Sequence, residues 1–172
     1  LTESLHDSFS LREDDLTGAS IIKLLQSHLA HATKSSPEGA AHALRLDDLR
    51  QPKVTFWSAW HGDALAGCAA LRELHSSHGE IKSMRTADAF LRRGVAALLL
   101  QHIIQIAHER GYRRLSLETD NTEAFAAARA LYTKFGFEPC APFGDYVNDG
   151  FSICMTRVIG QHRVHDCEVH PD

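Results

Sequence analysis

The residues best suited to chemistry near the middle of this chain are Leu91-Arg92-Arg93-Gly94-Val95-Ala96, at the head of a long amphipathic run. A short basic loop with a glycine feeds directly into a helix. A helix start presents several backbone N–H groups with no partner inside the helix, and the helix dipole adds partial positive charge. Together these make a site for a phosphate or pyrophosphate. Gly94 lets the backbone approach an anion closely, and Arg92 and Arg93 add charge.

The surrounding elements must hold that loop in place. Phe9–Arg12 reads as a short first strand, and Thr17–Ala32 as a helix with Ile21, Ile22, Leu24, Leu25 and Leu29 mainly on one face. Lys34–Gly39 breaks it, and a short helix covers Leu46–Arg50 before Pro52. Val54–Trp60 and Ala64–Leu74 flank His61-Gly62-Asp63 as a hairpin, and Glu80–Thr86 follows a turn at His75–Gly79. Strict alternation along that strand sets Glu80, Lys82, Met84 and Thr86 on one face and Ile81, Ser83 and Arg85 on the other.

Gly94–Arg110 is the clearest helix, with Val95, Leu98, Leu99, Ile103, Ile106 and Ala107 at helical spacing and Gly111 as its stop. Leu115–Thr119 is a strand, Thr122–Phe135 a helix ended by Gly136, and Phe151–Val158 a last strand reached through the turn-rich Pro142–Gly150 loop. A meander followed by β-α-β-α implies an α/β mixed sheet with helices on both faces.

Bulk composition narrows the function. A chain of 172 residues with 44% hydrophobic and 23% charged residues suits one domain with one sizeable core. A net charge of -4 argues against a nucleic-acid binder. No apolar run is long enough to span a membrane and no leader is visible, so a cytoplasmic protein is expected. The four cysteines, Cys68, Cys140, Cys154 and Cys167, include no C-x-x-C pair and are expected as free thiols. His162, His165, Cys167 and His170 have spacing that could ligate zinc, but they lie in a polar tail, so no metal is expected.

The element order, with an anion loop between the fourth strand and the long helix, resembles the GCN5-related N-acetyltransferase (GNAT) family. The family's loop reads Arg/Gln-x-x-Gly-x-Gly/Ala, against Leu91-Arg92-Arg93-Gly94-Val95-Ala96 here. Its late helix commonly reads Leu-Tyr-x-x-x-Gly-Phe, against Leu131-Tyr132-Thr133-Lys134-Phe135-Gly136-Phe137. Its fourth strand often carries a glutamate eleven residues before the loop's first position, where this chain has Glu80 before Leu91. The resemblance covers residues 8–159 of a single domain taken as 1–159, and leaves 160–172 as a polar tail; the part from Gly79 to Phe137 resembles a bacterial small-molecule-type subgroup more than a histone-type enzyme. Leu91 departs from the loop pattern, and Phe125 stands where many members carry an asparagine.

The resemblance implies a mostly antiparallel twisted sheet, splayed between its fourth and fifth strands. It also implies an acetyl-CoA-dependent transferase acting on the primary amine of a small molecule. The same fold acting on a protein or peptide, or binding acyl-CoA without catalysis, remains the alternative. The amides of Arg92, Arg93, Gly94, Val95 and Ala96 would hold the pyrophosphate. The backbone of Met84, Arg85 and Thr86 would pair with the pantetheine arm as an added strand. Asn121 or Thr122 would stand in for the missing asparagine.

An alkylamine is mostly protonated at neutral pH, so a base must take its proton. Glu80 is the candidate base and Glu118 its rival, a backbone N–H near Met84 or Arg85 is the oxyanion donor, and Tyr132 matches the family's usual acid for the leaving thiolate. Acceptor selection falls to residues 31–45 and 143–151, where Glu38, His42, Asp145 and Tyr146 are the polar groups of interest. If Glu38 and Asp145 both face the cleft, a cationic amine is the natural acceptor. Homodimers are common in the family, and the last strand or the tail would be the contact.

Overall fold

The computed structural model describes residues 8–35 and 46–160, with the backbone alone for 28–35. The strands are β1 (Ser10–Glu13), β2 (Val54–His61), β3 (Ala64–His75), β4 (His78–Thr86), β5 (Arg114–Asp120), β6 (Glu138–Cys140) and β7 (Ser152–Val158). The helices are α1 (Ala19–Ser35), α2 (Leu46–Leu49), α3 (Val95–Glu109) and α4 (Ala126–Lys134). The seven strands form one sheet in the order β1-β2-β3-β4-β5-β7-β6. Every neighbouring pair is antiparallel except β4 with β5, which is parallel.

Helices cover both faces, and two apolar clusters record this. Leu71, Ile81, Leu117 and Met155 meet Val95, Leu99, Leu100 and Ile103 of α3 and Tyr132 of α4. On the other face Phe56, Cys68 and Ala70 meet Ile21 and Leu25 of α1 and Leu49 of α2. Central strands buried on both sides read as continuous rather than alternating runs, as in Phe56-Trp57-Ser58-Ala59, all of them buried. The β2–β3 turn is two residues long, with Gly62 at φ 57, a left-handed value that glycine adopts without steric cost.

Four features differ from the sequence-based expectation. β4 starts at His78, because the turn before it is only two residues long, with His75 paired to His78. β6 was hidden in the segment after Gly136, since three residues including Pro139 carry too little pattern to read as a strand. The helix expected from Thr122 opens as a 3-10 turn, Glu123–Phe125, before α4 proper.

The fourth difference matters most. Cys68 pairs with Arg85 and Ala70 with Lys82, so two steps on β3 oppose three on β4. The extra residue is a β-bulge at Ser83–Met84, with Ser83 at φ 52. Alternation therefore breaks after Lys82. Cross-strand partners share a face, so Glu80, Lys82 and Arg85 all lie on the α1 side, whereas Ile81 and Met84 lie on the α3–α4 side. The expected placement of Met84 and Thr86 beside Glu80, and of Arg85 opposite it, is corrected accordingly; Thr86 pairs with Gly67, on the α3 side. A bulge in an otherwise regular strand leaves no signature in residue type.

Candidate active site

The parallel β4–β5 ladder is short. It runs from His78–Arg114 to Ile81–Leu117 and ends there, although β4 continues to Thr86 and β5 to Asp120. Beyond Ile81 each strand keeps its other neighbour: Lys82, Arg85 and Thr86 pair with β3, and Glu118 to Asp120 pair with β7. The sheet is thus split at its centre, and one edge of β4 at Met84, Arg85 and Thr86 faces the split. An extended ligand can join such an edge through backbone hydrogen bonds.

At the head of the split the chain makes one 3-10 turn, Asp88–Phe90, and then the basic loop. Arg92 is at φ 60 and Gly94 at φ 84. α3 then begins at Val95, and no side chain caps it. Its first N–H groups therefore point into the loop, the arrangement that suits an anion. Gly67 on β3 makes this placement possible. A Cβ there would sit 2.7 Å from the Arg85 carbonyl oxygen and 2.8 Å from Val95 Cγ1, so only glycine lets β4 and the first turn of α3 close over β3. The Arg93 guanidinium lies over the Phe90 ring at 4.8 Å and near Phe9 at 5.7 Å, so it ties the loop to the protein's edge as well as adding charge. Leu91 is half exposed, and Val95 is buried while Ala96 is partly buried.

Tyr132 enters from α4 on the opposite side of the split. Its ring is buried against Phe137, with centroids 6.1 Å apart. Its hydroxyl donates to Met84 Sδ at 3.8 Å, a long and weak contact that places the O–H at the bulge. Burial pushes the phenol up to about 12, so it is protonated at neutral pH. The β5–α4 corner is built around Arg129, which donates to the Asp120 and Thr122 carbonyls at 2.7 and 2.8 Å. Asp120 accepts the Thr122 N–H at 2.6 Å. The Thr122 hydroxyl is left buried without a hydrogen-bond partner among the described residues, whereas Asn121 is exposed. A buried, unpaired hydroxyl at this corner fits a polar contact to a ligand's amide-bearing arm.

The α1 side of the split carries a buried polar cluster. Glu80 is 2% exposed, and its Oε1 accepts from Lys82 Nζ at 2.8 Å and from the Tyr146 hydroxyl at 2.5 Å. Lys82 Nζ also donates to the Tyr146 oxygen at 2.6 Å, which closes a triangle. Burial, with the Glu80 charge next, pushes the Tyr146 phenol far up, so it stays a donor to that carboxylate. Glu118, half-buried on β5 and directly across from Cys154, adds to the negative field on both Tyr146 and Cys154. The Cys154 thiol is pushed up to about 11, chiefly by burial.

Next along the same face, His78 Nε2 lies 2.8 Å from Ser116 Oγ. Ser116 Oγ lies 2.9 Å from Thr156 Oγ1, which donates to the Leu115 carbonyl at 3.1 Å. Burial lowers the His78 pKa, with the positive field of His75 second. The Phe143 ring stands between His78 and Tyr146, 5.9 and 5.1 Å from them, and so walls this side.

The structure brings together Glu80, Glu118 and Tyr146 on one side of the split. Met84 and Tyr132 meet on the other, and residues 92–96 lie at its head. Asp145 is exposed on the β6–β7 loop. Glu38, His42 and the histidine-rich tail lie outside the described residues. Sequence reasoning missed Gly67, His78 and Arg129. His78 was legible as a polar residue in register with the Glu80 face, but the other two act through packing and backbone carbonyls, which sequence does not display.

The acetyltransferase (GNAT) family model matches residues 21–137. The chain is 54% identical to the uncharacterized N-acetyltransferase YsnE of Bacillus subtilis over 147 residues, which is 86% of this chain and 97% of that protein. It is 49% identical to the uncharacterized N-acetyltransferase YedL of Escherichia coli over 151 residues, 88% of this chain and 95% of that one. Among solved structures, a GNAT family acetyltransferase from Elizabethkingia anophelis, with acetyl-CoA bound, superposes with a TM-score of 0.65 at 21% identity. That superposition covers 88% of this chain and 99% of the other. A mixed sheet split between β4 and β5, a basic loop heading α3 and a buried tyrosine on α4 thus accompany close relatives that are N-acetyltransferases, and the chain belongs to the GNAT family of acetyltransferases.

Proposed function

We propose that this acetyltransferase moves an acetyl group from acetyl-CoA to the primary amine of a small molecule, by direct attack of the amine on the thioester. The observation that carries the reading is the split beyond Ile81–Leu117, with an uncapped helix start and a basic loop at its head and a protonated tyrosine at its bulge. The acetyl-CoA bound to the Elizabethkingia protein of the same fold is consistent with it.

The residues divide the work as follows. The N–H groups of Arg92 to Ala96 hold the pyrophosphate, and the free edge of β4 at Met84 to Thr86 pairs with the pantetheine arm. The Thr122 hydroxyl gives that arm a polar contact. A backbone N–H at the bulge, near Met84 or Arg85, is aimed where charge develops on the thioester oxygen. Tyr132 donates its proton, or a hydrogen bond, to the departing sulfur. On the other side the amine's proton passes to the Tyr146 oxygen as the Tyr146 proton moves to Glu80 Oε1, along the 2.5 Å hydrogen bond already formed. The rings of Phe143, Tyr146 and His78 wall the acceptor side, which favours a small acceptor over an open peptide groove.

Release of free thiol from acetyl-CoA, measured across a panel of amines, tests this reading. E80Q lowers kcat by about 10²- to 10⁴-fold. E80Q also leaves the buried Lys82 without its carboxylate, a change that costs about 3–5 kcal/mol. Y146F therefore accompanies it: this variant keeps the Glu80–Lys82 pair and removes the relay together with the Lys82–Tyr146 hydrogen bond. Full activity in Y146F, with E118Q inactive, would transfer the base role to Glu118.

A further inference from the structure

Arg85 stands apart from the other charged groups of the site. Its side chain is only 20% exposed, yet its one ion pair among the described residues is a 3.6 Å contact to Asp88, which is 82% exposed and so weakly held. Its Nε is buried and has no hydrogen-bond partner among the described residues. Lys82, the other cation that β4 places on this face, is engaged by Glu80 and Tyr146. Asp14, on the same side of the sheet, accepts from the Ser58 hydroxyl at 2.7 Å and the Leu16 N–H at 2.8 Å. A guanidinium with a buried donor left over, beside Lys82 and Asp14 whose own bonds are made, is suited to an anion.

The bulge decides which anion. In a regular strand Arg85 would share the α3–α4 face with Ile81. The inserted residue turns it instead onto the face of Glu80 and Lys82, which is the acceptor side. Met84, directly before it, points the other way, toward Tyr132. Arg85 is thus one residue, about 3.3 Å along the strand, from the point where the thioester is placed, but on the side from which the amine arrives. We propose that Arg85 binds a carboxylate of the acceptor, so that the acceptor is an amino acid or a similar amino carboxylate. This rests on the acetyl-transfer reading above and narrows its substrate class.

The experiment compares amino acids with their α-carboxamides as acceptors, pair by pair, by thiol release. Calorimetric titration of acetyl-CoA runs in parallel. The amide's amine is the weaker base and more of it is free at neutral pH, so intrinsic reactivity favours the amide. A preference for the acid must therefore come from binding. The native protein is expected to prefer the acids by about tenfold or more in kcat/KM, the scale of one charge-assisted hydrogen-bonded pair. In R85Q the acid-to-amide ratio falls toward one through a raised acceptor KM, while acetyl-CoA affinity stays within about twofold of native. R85K, which keeps the charge and loses the fork, falls between.

Equal or better use of the amides by the native protein overturns the proposal. So does an R85Q protein that keeps the acid preference, or one that loses acetyl-CoA affinity with the ratio intact, which would make Arg85 a donor-phosphate contact. A protein that binds acetyl-CoA but acetylates neither series overturns it as well. A native protein that does not bind acetyl-CoA fails the parent reading instead.

Discussion

Replacing Tyr132 by phenylalanine separates chemistry from packing more cleanly than any other change in this site. The ring fills a buried position against Phe137, and Y132F keeps it. The hydroxyl's hydrogen-bond partner is the Met84 thioether sulfur 3.8 Å away, so its removal costs at most about 1 kcal/mol of stability. For a domain of this size that is a fall of about 2–4 °C in Tm.

The catalytic effect is much larger. A phenol at about 12 cannot easily protonate an ordinary thiolate, whose conjugate acid is near 8.5; the transfer is uphill by about 5 kcal/mol. Burial changes that balance. Cys68, a fully buried thiol in this same protein, is pushed up to about 12 by desolvation. A thiolate leaving into a comparably dry environment would match Tyr132, and transfer becomes nearly even. The hydroxyl is then worth about 10²–10⁴ in kcat.

The assay is steady-state thiol release with the best acceptor, beside thermal melting and acetyl-CoA calorimetry on the same preparations. Y132F should lose kcat by at least about a hundredfold, with acetyl-CoA affinity and Tm nearly native. A kcat within threefold of native would refute the acid role. A drop in Tm of ten degrees with proportionate loss of activity would reduce Tyr132 to a core residue.

Two further outcomes follow from the packing and the titrating groups. G67A places a methyl 2.7 Å from the Arg85 carbonyl and 2.8 Å from Val95, so β4 or α3 must shift. It should cost about 1–3 kcal/mol in a denaturation experiment and, on the proposed binding mode, weaken acetyl-CoA binding, because the atoms displaced border the loop at the head of α3. His78 and His102 both have pKa values held below the ordinary histidine value, chiefly by burial. A group held low in the folded state binds its proton more readily when unfolded. Stability is therefore complete above the unfolded value near 6.5 and is lost as pH falls below it toward the folded values. Denaturation midpoints measured from pH 7.5 down to 5 should decline, and H102Q should flatten part of that decline.

Much of this site was legible in the sequence because it rests on backbone devices with fixed residue signatures. A glycine after two arginines before an apolar helix announces the loop, and Leu131-Tyr132 four residues before Gly136 announces the helix that presents the phenol. Tertiary pairing carried the rest. The bulge at Ser83–Met84 has no turn residue to reveal it, yet it moved Arg85 from one face of the sheet to the other. The Lys82–Glu80–Tyr146 triangle joins residues more than sixty positions apart, and nothing in Tyr146's own neighbourhood points to β4. β6 exists because β7 offers an edge, with Cys140 opposite Cys154, rather than because three residues including a proline favour a strand.

The central claim is that the loop at the head of α3 holds the pyrophosphate of acetyl-CoA. Calorimetric titration of the native protein and of G94D with acetyl-CoA tests it most directly. Gly94 sits at φ 84, where any side chain strains the backbone, but a Cβ there meets nothing within 4 Å; aspartate visits left-handed backbone more readily than most residues and adds a negative charge. The account predicts a native Kd on the order of micromolar and a loss of at least about tenfold in G94D with the fold intact. A folded native protein that binds no acetyl-CoA at millimolar concentration, or a G94D protein that binds it as tightly as the native one, would contradict it.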